Sequence, residues 1–255
     1  MHQKGTSHSK MQNRLLNIMK NTEKKVVMIS GANRGIGKVI AEKLSEEGYL
    51  LSLGVRKPGI ISESLSSIPV TNLLCHEYDA KIPQSAKSWI DGTIEHFGRM
   101  DVLINNAGIL HSVGLEDDSE ELLDEMWEVN AKAPLRLTRL AFPYLRKSGA
   151  GRIIDIISMS GKRVKGNWVG YSMSKYAALA ASHTARLQGW EDGIRVTAVC
   201  PGYVQSDMTV IHAPNVKQEV MSRPQDIAQI VSTLLLLPNE SHVPEVLMNC
   251  VFETV

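Results

Sequence analysis

Cysteine is scarce in this chain. The three residues, Cys75, Cys200 and Cys250, lie far apart with no CxxC pair, which argues against a disulfide framework or a cysteine zinc cluster and for a reducing, cytoplasmic setting. Charge of one sign is not in excess either: 28 Lys and Arg stand against 27 Asp and Glu. Nothing therefore draws the chain broadly to nucleic acid or to an anionic membrane surface. Long apolar runs are missing, and the leucines at 234–237 fall far short of the roughly 20 residues a spanning helix needs. No group of His, Cys, Asp and Glu has metal-ligand spacing, so no metal is expected. Neither an internal repeat nor a Pro/Gly-rich linker marks a second domain.

What is present is the balance of an ordinary globular protein, 255 residues with 43% apolar and 22% charged, enough for one large core. Residues 1–25 carry six Lys or Arg and a single acid, Glu23, without the apolar segment of a secretory signal. Residues 1–24 are expected to be a disordered extension and 25–255 one domain. From Lys25 onward short apolar runs alternate with stretches of helical period, the pattern of a parallel sheet covered on both faces. Strands are predicted at 26–30, 50–55, 72–76, 102–105, 152–157, 195–199 and 245–248, and helices at 36–47, 84–97, 120–146, 170–190 and 224–236. The expected fold is α/β, a doubly wound, seven-stranded parallel sheet of Rossmann type.

The first strand runs directly into Ser30-Gly31-Ala32-Asn33-Arg34-Gly35-Ile36-Gly37 and then a helix. Glycines at that corner permit a tight turn and bring a pyrophosphate close to the backbone, while free N–H groups at the helix start face the anion. An NAD site usually carries an acid about 20 residues further on for the ribose 2′-hydroxyl. Here the second strand ends Val55-Arg56 with no carboxylate, and Arg34 and Arg56 are instead suited to a 2′-phosphate. NADP(H) is therefore expected over NAD(H).

Tyr171 and Lys175 stand four residues apart on the predicted helix 170–190, hence on one face. An ammonium beside a phenol stabilises phenolate and is expected to lower the pKa of Tyr171. Ser158 closes the fifth strand, Asn105-Asn106-Ala107-Gly108 closes the fourth, and Asn130 lies in helix 120–146. In an open parallel sheet such strand ends converge on the ligand.

With these segments in this order and spacing, residues 25 to 250 or so resemble the classical short-chain dehydrogenase/reductase family. The resemblance implies a catalytic tetrad of Asn130, Ser158, Tyr171 and Lys175. Tyr171 would exchange a proton with the substrate oxygen, Ser158 would polarise it, and Asn130 would anchor a water in a relay through Lys175. It also implies a cofactor held by Ser30, Gly31, Asn33, Arg34, Gly35, Ile36 and Gly37 of the turn, and by Arg56, Asp79 and Ala80. Asn106, Ala107, Gly108, Tyr171, Lys175, Pro201, Gly202, Val204, Ser206 and Met208 would complete that site. The strand order 3-2-1-4-5-6-7 and a homotetramer or homodimer, paired through helices 120–146 and 170–190, follow from the same likeness. The implied partner is a small carbonyl or alcohol substrate exchanging hydride with the nicotinamide. Two rivals remain: an NAD-linked alcohol dehydrogenase, and a regulatory protein that binds NADPH without turnover. The stretches 159–170 and 207–221 should shape a partly apolar substrate pocket. His111 is expected to be an exposed loop residue, and His183 to pack or to face a neighbouring subunit.

Overall fold

Val26–Ser30 (β1) and Leu50–Val55 (β2) are buried at every position, as strands covered on both faces must be. In the computed structural model, which describes residues 24–164 and 166–251, they form the centre of a sheet. Helix α1 (Gly35–Glu46) connects them. The chain continues through α2 (Glu63–Ser66), β3 (Leu73–Glu77), α3 (Pro83–Phe97), β4 (Val102–Asn105) and α4 (Glu120–Trp127). A π turn (Glu128–Lys132), α5 (Ala133–Lys147), β5 (Arg152–Ile156) and α6 (Val169–Gly189) follow. The last elements are β6 (Arg195–Pro201), α7 (Asp207–His212), α8 (Pro224–Leu236) and β7 (Glu245–Met248). Among the described residues the seven strands make one sheet in the order 3-2-1-4-5-6-7, parallel at every pairing. The expected order and fold class are those observed.

Alternation along the strands divides the core. Val27, Ile29, Leu51, Leu53, Ile104 and Ile154 pack on one face beneath α1 and α8, whose Ile40, Leu44, Ile227 and Val231 meet them. Met28, Leu103, Ile153 and Val196 pack on the other, against Trp89 and Ile90 of α3 and Leu137 and Ala141 of α5. Because β1 lies between β2 and β4, the order reverses there, and a cleft opens at the carboxyl ends of those strands.

The predicted helix 120–146 is not continuous. Between α4 and α5 the chain widens into a π turn that contains Asn130. Pro134 has no N–H, so it withholds the donor that an α-helix would direct at the Asn130 carbonyl four residues back. Other boundaries move by one or two residues: β3 begins at Leu73, β5 ends at Ile156, and β6 continues to Pro201. Helices α2 and α7 are too short for a periodic signal. The basic stretch expected to precede the domain lies, except for Lys24, outside the described residues.

Candidate active site

The glycine turn is fixed by its neighbours before any ligand arrives. Gly31 and Gly35 take positive φ values of 69° and 56°, a region that side chains penalise. Gly37 has φ in the ordinary range, but a Cβ there would collide with the Asn106 side chain and the Gly31 carbonyl. Asn106 Nδ2 donates to the carbonyls of Ser30 and Gly31 at 2.9 and 3.1 Å. The Ser30 hydroxyl accepts from the backbone N–H groups of Asn106 and Ala107, both at 3.0 Å. The turn after β1 and the segment after β4 are thus stitched into one floor.

Above that floor is a cleft of about 280 Å³. Gly31, Asn33, Arg34, Gly35, Ile36 and Arg56 line one end, with Asp79, Ala80 and Asn106 to Gly108 along its side. Ser158, Tyr171, Lys175, Pro201, Gly202, Val204, Ser206 and Met208 line the other. Three expected site residues lie behind the wall. Ser30 is 2% exposed, Gly37 is packed beneath Asn106, and Asn130 is 2% exposed. The Asn130 side chain is spent on structure: its Nδ2 donates to the Ile109 carbonyl at 2.8 Å and to Ser174 Oγ at 3.0 Å, and its Oδ1 accepts from Ile109 N at 2.9 Å. It ties the loop after β4 to α6.

The chemistry-bearing groups meet at the start of α6. Tyr171 and Lys175 are 7% and 6% exposed, with Lys175 Nζ 5.7 Å from the phenol ring centre. The Tyr171 and Ser158 hydroxyls are hydrogen-bonded, and Lys175 Nζ donates to the Ile156 carbonyl at 3.2 Å. A smaller pocket of about 80 Å³ adjoins them, lined by Leu110, Met159, Trp168, Tyr203, Met208 and His212 among others. It has space for a compact, partly apolar molecule against the two hydroxyls.

Comparison with known proteins identifies the family and the fold. The short chain dehydrogenase family matches residues 25–216. The chain belongs to that family. An agropine synthesis reductase of Rhizobium rhizogenes is 38% identical over 232 residues, which make up 90% of this chain and 53% of that protein. The chain thus spans about half the length of that relative. An uncharacterized oxidoreductase of Staphylococcus saprophyticus is 32% identical over 236 residues, 89% of this chain and 96% of that one. The X-ray structure of an alcohol dehydrogenase from the archaeon Thermococcus sibiricus, complexed with 5-hydroxy-NADP, superposes with a TM-score of 0.82 at 30% identity. That match covers 91% of this chain and 99% of the other.

As in any short-chain dehydrogenase, proton affinity at the site depends on what surrounds it, and here one expectation is corrected. Burial pushes the Tyr171 phenol up to about 12, against which the Ser158 hydroxyl works. The shift is upward, not downward, because desolvation outweighs the hydrogen bond from Ser158 and Lys175 is not among the groups that lower it. Burial depresses Lys175 to about 8, opposed by Cys200 and Asp155. The two arginines also differ. Arg34 forms an ion pair with Asp207 of α7 at 2.8 Å, with side chains 64% and 68% exposed, while exposed Arg56 makes no ion pair with the described residues. Ser206 caps α7, accepting from Thr209 N at 3.4 Å.

His111 is half-buried rather than exposed, with Nε2 2.7 Å from Glu125. His183 packs against β7, 2.9 Å from Glu245. The pairings of Arg34 with Asp207 and of Asn105 with Asp155 were invisible in the sequence, since the partners are 173 and 50 positions apart. Among the described residues no group of three or more His, Cys, Asp and Glu could hold a metal ion, and no helix is long and apolar enough to cross a membrane.

Proposed function

We propose that the chain is an NADP(H)-dependent oxidoreductase that interconverts a carbonyl and its alcohol, with Tyr171 as general acid and base. The observation that carries this reading is the buried hydrogen-bonded pair Tyr171 and Ser158, with Lys175 beneath, at the end of a cleft floored by a glycine turn. A Cβ at Gly31 or Gly37 would fill that floor, so the cradle fits a pyrophosphate. The exposed guanidinium of Arg56 and the uncharged Val55 beside it fit a 2′-phosphate better than a bare ribose. When bound, the nicotinamide supplies the hydride.

The residues of the chain do the rest. As negative charge grows on the substrate oxygen, the Ser158 and Tyr171 hydroxyls are already aimed into the pocket and need no reorganisation. Tyr171, held protonated by burial, gives its proton to that oxygen, and Lys175 stabilises the phenolate left behind. Asn130 keeps the floor and α6 in register for this.

We extend the proposal to assembly. Met173, Tyr176 and Leu187 form an exposed stripe on α6, at 55%, 43% and 67% exposure, suited to a homotetramer or homodimer. Light scattering should give a multiple of 28.1 kDa, and a monomer at working concentration would refute that part. The function itself is tested by NADPH consumption with a panel of aldehydes, ketones, diketones and 3-oxoacyl thioesters. Arg56→Ala should weaken NADPH by about 1.5–3 kcal/mol and leave NADH nearly untouched. Equal losses for both cofactors would reduce Arg56 to a general charge.

A further inference from the structure

The small pocket against Ser158 and Tyr171 is uneven in charge. Leu110, Met159, Trp168 and Met208 give it an apolar wall, and no Asp or Glu is among the described residues that line it. Two basic side chains are, Arg163 and His212. The carboxylates along the adjoining cleft, Asp79, Glu125 and Asp207, are engaged with other partners. Asp79 accepts from Lys81 N at 2.9 Å, Glu125 pairs with Lys81 Nζ at 3.0 Å and His111 Nε2 at 2.7 Å, and Asp207 pairs with Arg34. A positive charge beside an apolar wall, with no acid in the lining, favours an anion. An anion that leaves water for such a space needs a charged partner, and the planar guanidinium fork matches a planar carboxylate.

Arg163 is set in place by the same turn that sets Ser158. The Ser158 hydroxyl accepts from Ser160 N at 3.1 Å, and the N–H groups of Lys162 and Arg163 both return to the Met159 carbonyl, at 2.9 and 3.0 Å. Gly161, in the middle, is pressed onto α6, where a Cβ would stand 2.9 Å from the Lys175 carbonyl oxygen. The chain thus makes one tight turn between the hydroxyl that polarises the substrate oxygen and the guanidinium, and both line the same pocket. His212 plays a different part. Burial, reinforced by nearby His111, holds its imidazole below the usual value, so at neutral pH it is a hydrogen-bonding group and Arg163 supplies the charge.

We propose that Arg163 determines specificity and that the substrate is an oxoacid, a compact carbonyl compound whose carboxylate binds the Arg163 guanidinium while its carbonyl oxygen lies against Ser158 and Tyr171. The proposal rests on the carbonyl-reducing reading above and names the substrate class for it. The pocket of about 80 Å³ limits the body between the two groups to a short chain or a single ring. A C–H bond forms at the carbonyl carbon as hydride arrives, the C=O electron pair moves to oxygen, and the O–H bond of Tyr171 breaks to supply the proton. The carboxylate neither gains nor loses atoms or charge.

NADPH consumption should be measured for two matched pairs, 4-oxopentanoate with its methyl ester and 4-formylbenzoate with its methyl ester, in wild type and in Arg163→Gln. For wild type, kcat/KM should be about tenfold or more higher for each acid than for its ester. In the variant the acid's KM should rise about tenfold, more than its kcat falls, so that the preference disappears. NADPH affinity should stay within about twofold, because Arg163 does not line the cofactor cleft. A wild type that reduces the esters as well as the acids, or a variant that loses acid and ester alike, would overturn the proposal and leave the reductase reading standing. A wild type that reduces no carbonyl at all would sink both, so the two failures are distinguishable. If Arg163→Gln does not fold, the wild type decides: benzoate should compete with a reducible carbonyl while benzamide does not, and equal inhibition by both refutes the oxoacid.

Discussion

The two faces of the sheet are built from different materials. From β1, β2, β4 and β5 the face under α1 and α8 receives the aliphatic side chains Val27, Ile29, Leu51, Leu53, Val55, Val102, Ile104, Ile154 and Ile156, with one buried charged exception, Arg152 at the start of β5, which donates to the Leu237 carbonyl at 2.9 Å. The same four strands present Ser30, Ser52, Asn105 and Asp155 to the opposite face, all of them buried and all hydrogen-bonded. Ser52 pairs with Thr93 at 2.7 Å and takes a bond from Trp89 Nε1 at 2.9 Å. A buried polar group costs free energy unless it is satisfied. The second face therefore carries more of that expense than the first, and the second face also holds α6 with Tyr171 and Lys175. Both faces bury an apolar core, but the chemistry sits on the one richer in buried polar groups.

The sharpest way to break this comparison uses Ile154 of β5, whose neighbour Asp155 points to the opposite face. Ile154→Ala should lower unfolding free energy by about 2–5 kcal/mol, measured by denaturant titration, with kcat per folded molecule nearly unchanged. A comparable loss of kcat would show that the aliphatic face also tunes the site. Next in size is Tyr171→Phe, which should cut turnover by about 100-fold, or about 2.7 kcal/mol, while melting temperature and NADPH affinity hold. Retained turnover would remove Tyr171 from its assigned role.

The cost of the polar face should also appear in pH dependence. Lys175 is depressed in the folded chain from 10.5 to about 8, so between those values the unfolded chain binds more protons and stability rises with pH. Tyr171 is raised from 10.0 to about 12, so its contribution is complete below 10 and is lost as pH climbs toward 12. Denaturation curves for Lys175→Met should lack the rising limb and show greater stability at neutral pH. A variant less stable than wild type there would mean that the ammonium is fully compensated where it lies. The smallest effect is expected at the rim, where Arg34→Gln should leave the melting temperature within error. Its ion pair with Asp207 is largely exposed and screened by salt, and a clear drop would reveal a structural clasp across the cleft.

Much of this molecule was legible in the chain alone. Apolar runs of strand length alternating with helical stretches determine a covered parallel sheet, because each strand must bury both faces. A glycine turn between strand and helix determines where an anion can approach. The four-residue spacing of Tyr171 and Lys175 determines that they share a side of one helix. These are local rules, set by backbone geometry within a few residues. The proton affinity of Tyr171 was not local. A lysine four residues away argues for a lowered pKa, whereas the folded environment desolvates both groups and raises it. Nor could spacing show that Asn130 would spend its side chain on Ile109 and Ser174, that Arg34 would turn to Asp207, or that Asn105 would reach across to Asp155. Burial and long-range pairing exist only once the strands are assembled, and they decide which charged and polar groups face water, each other or a ligand.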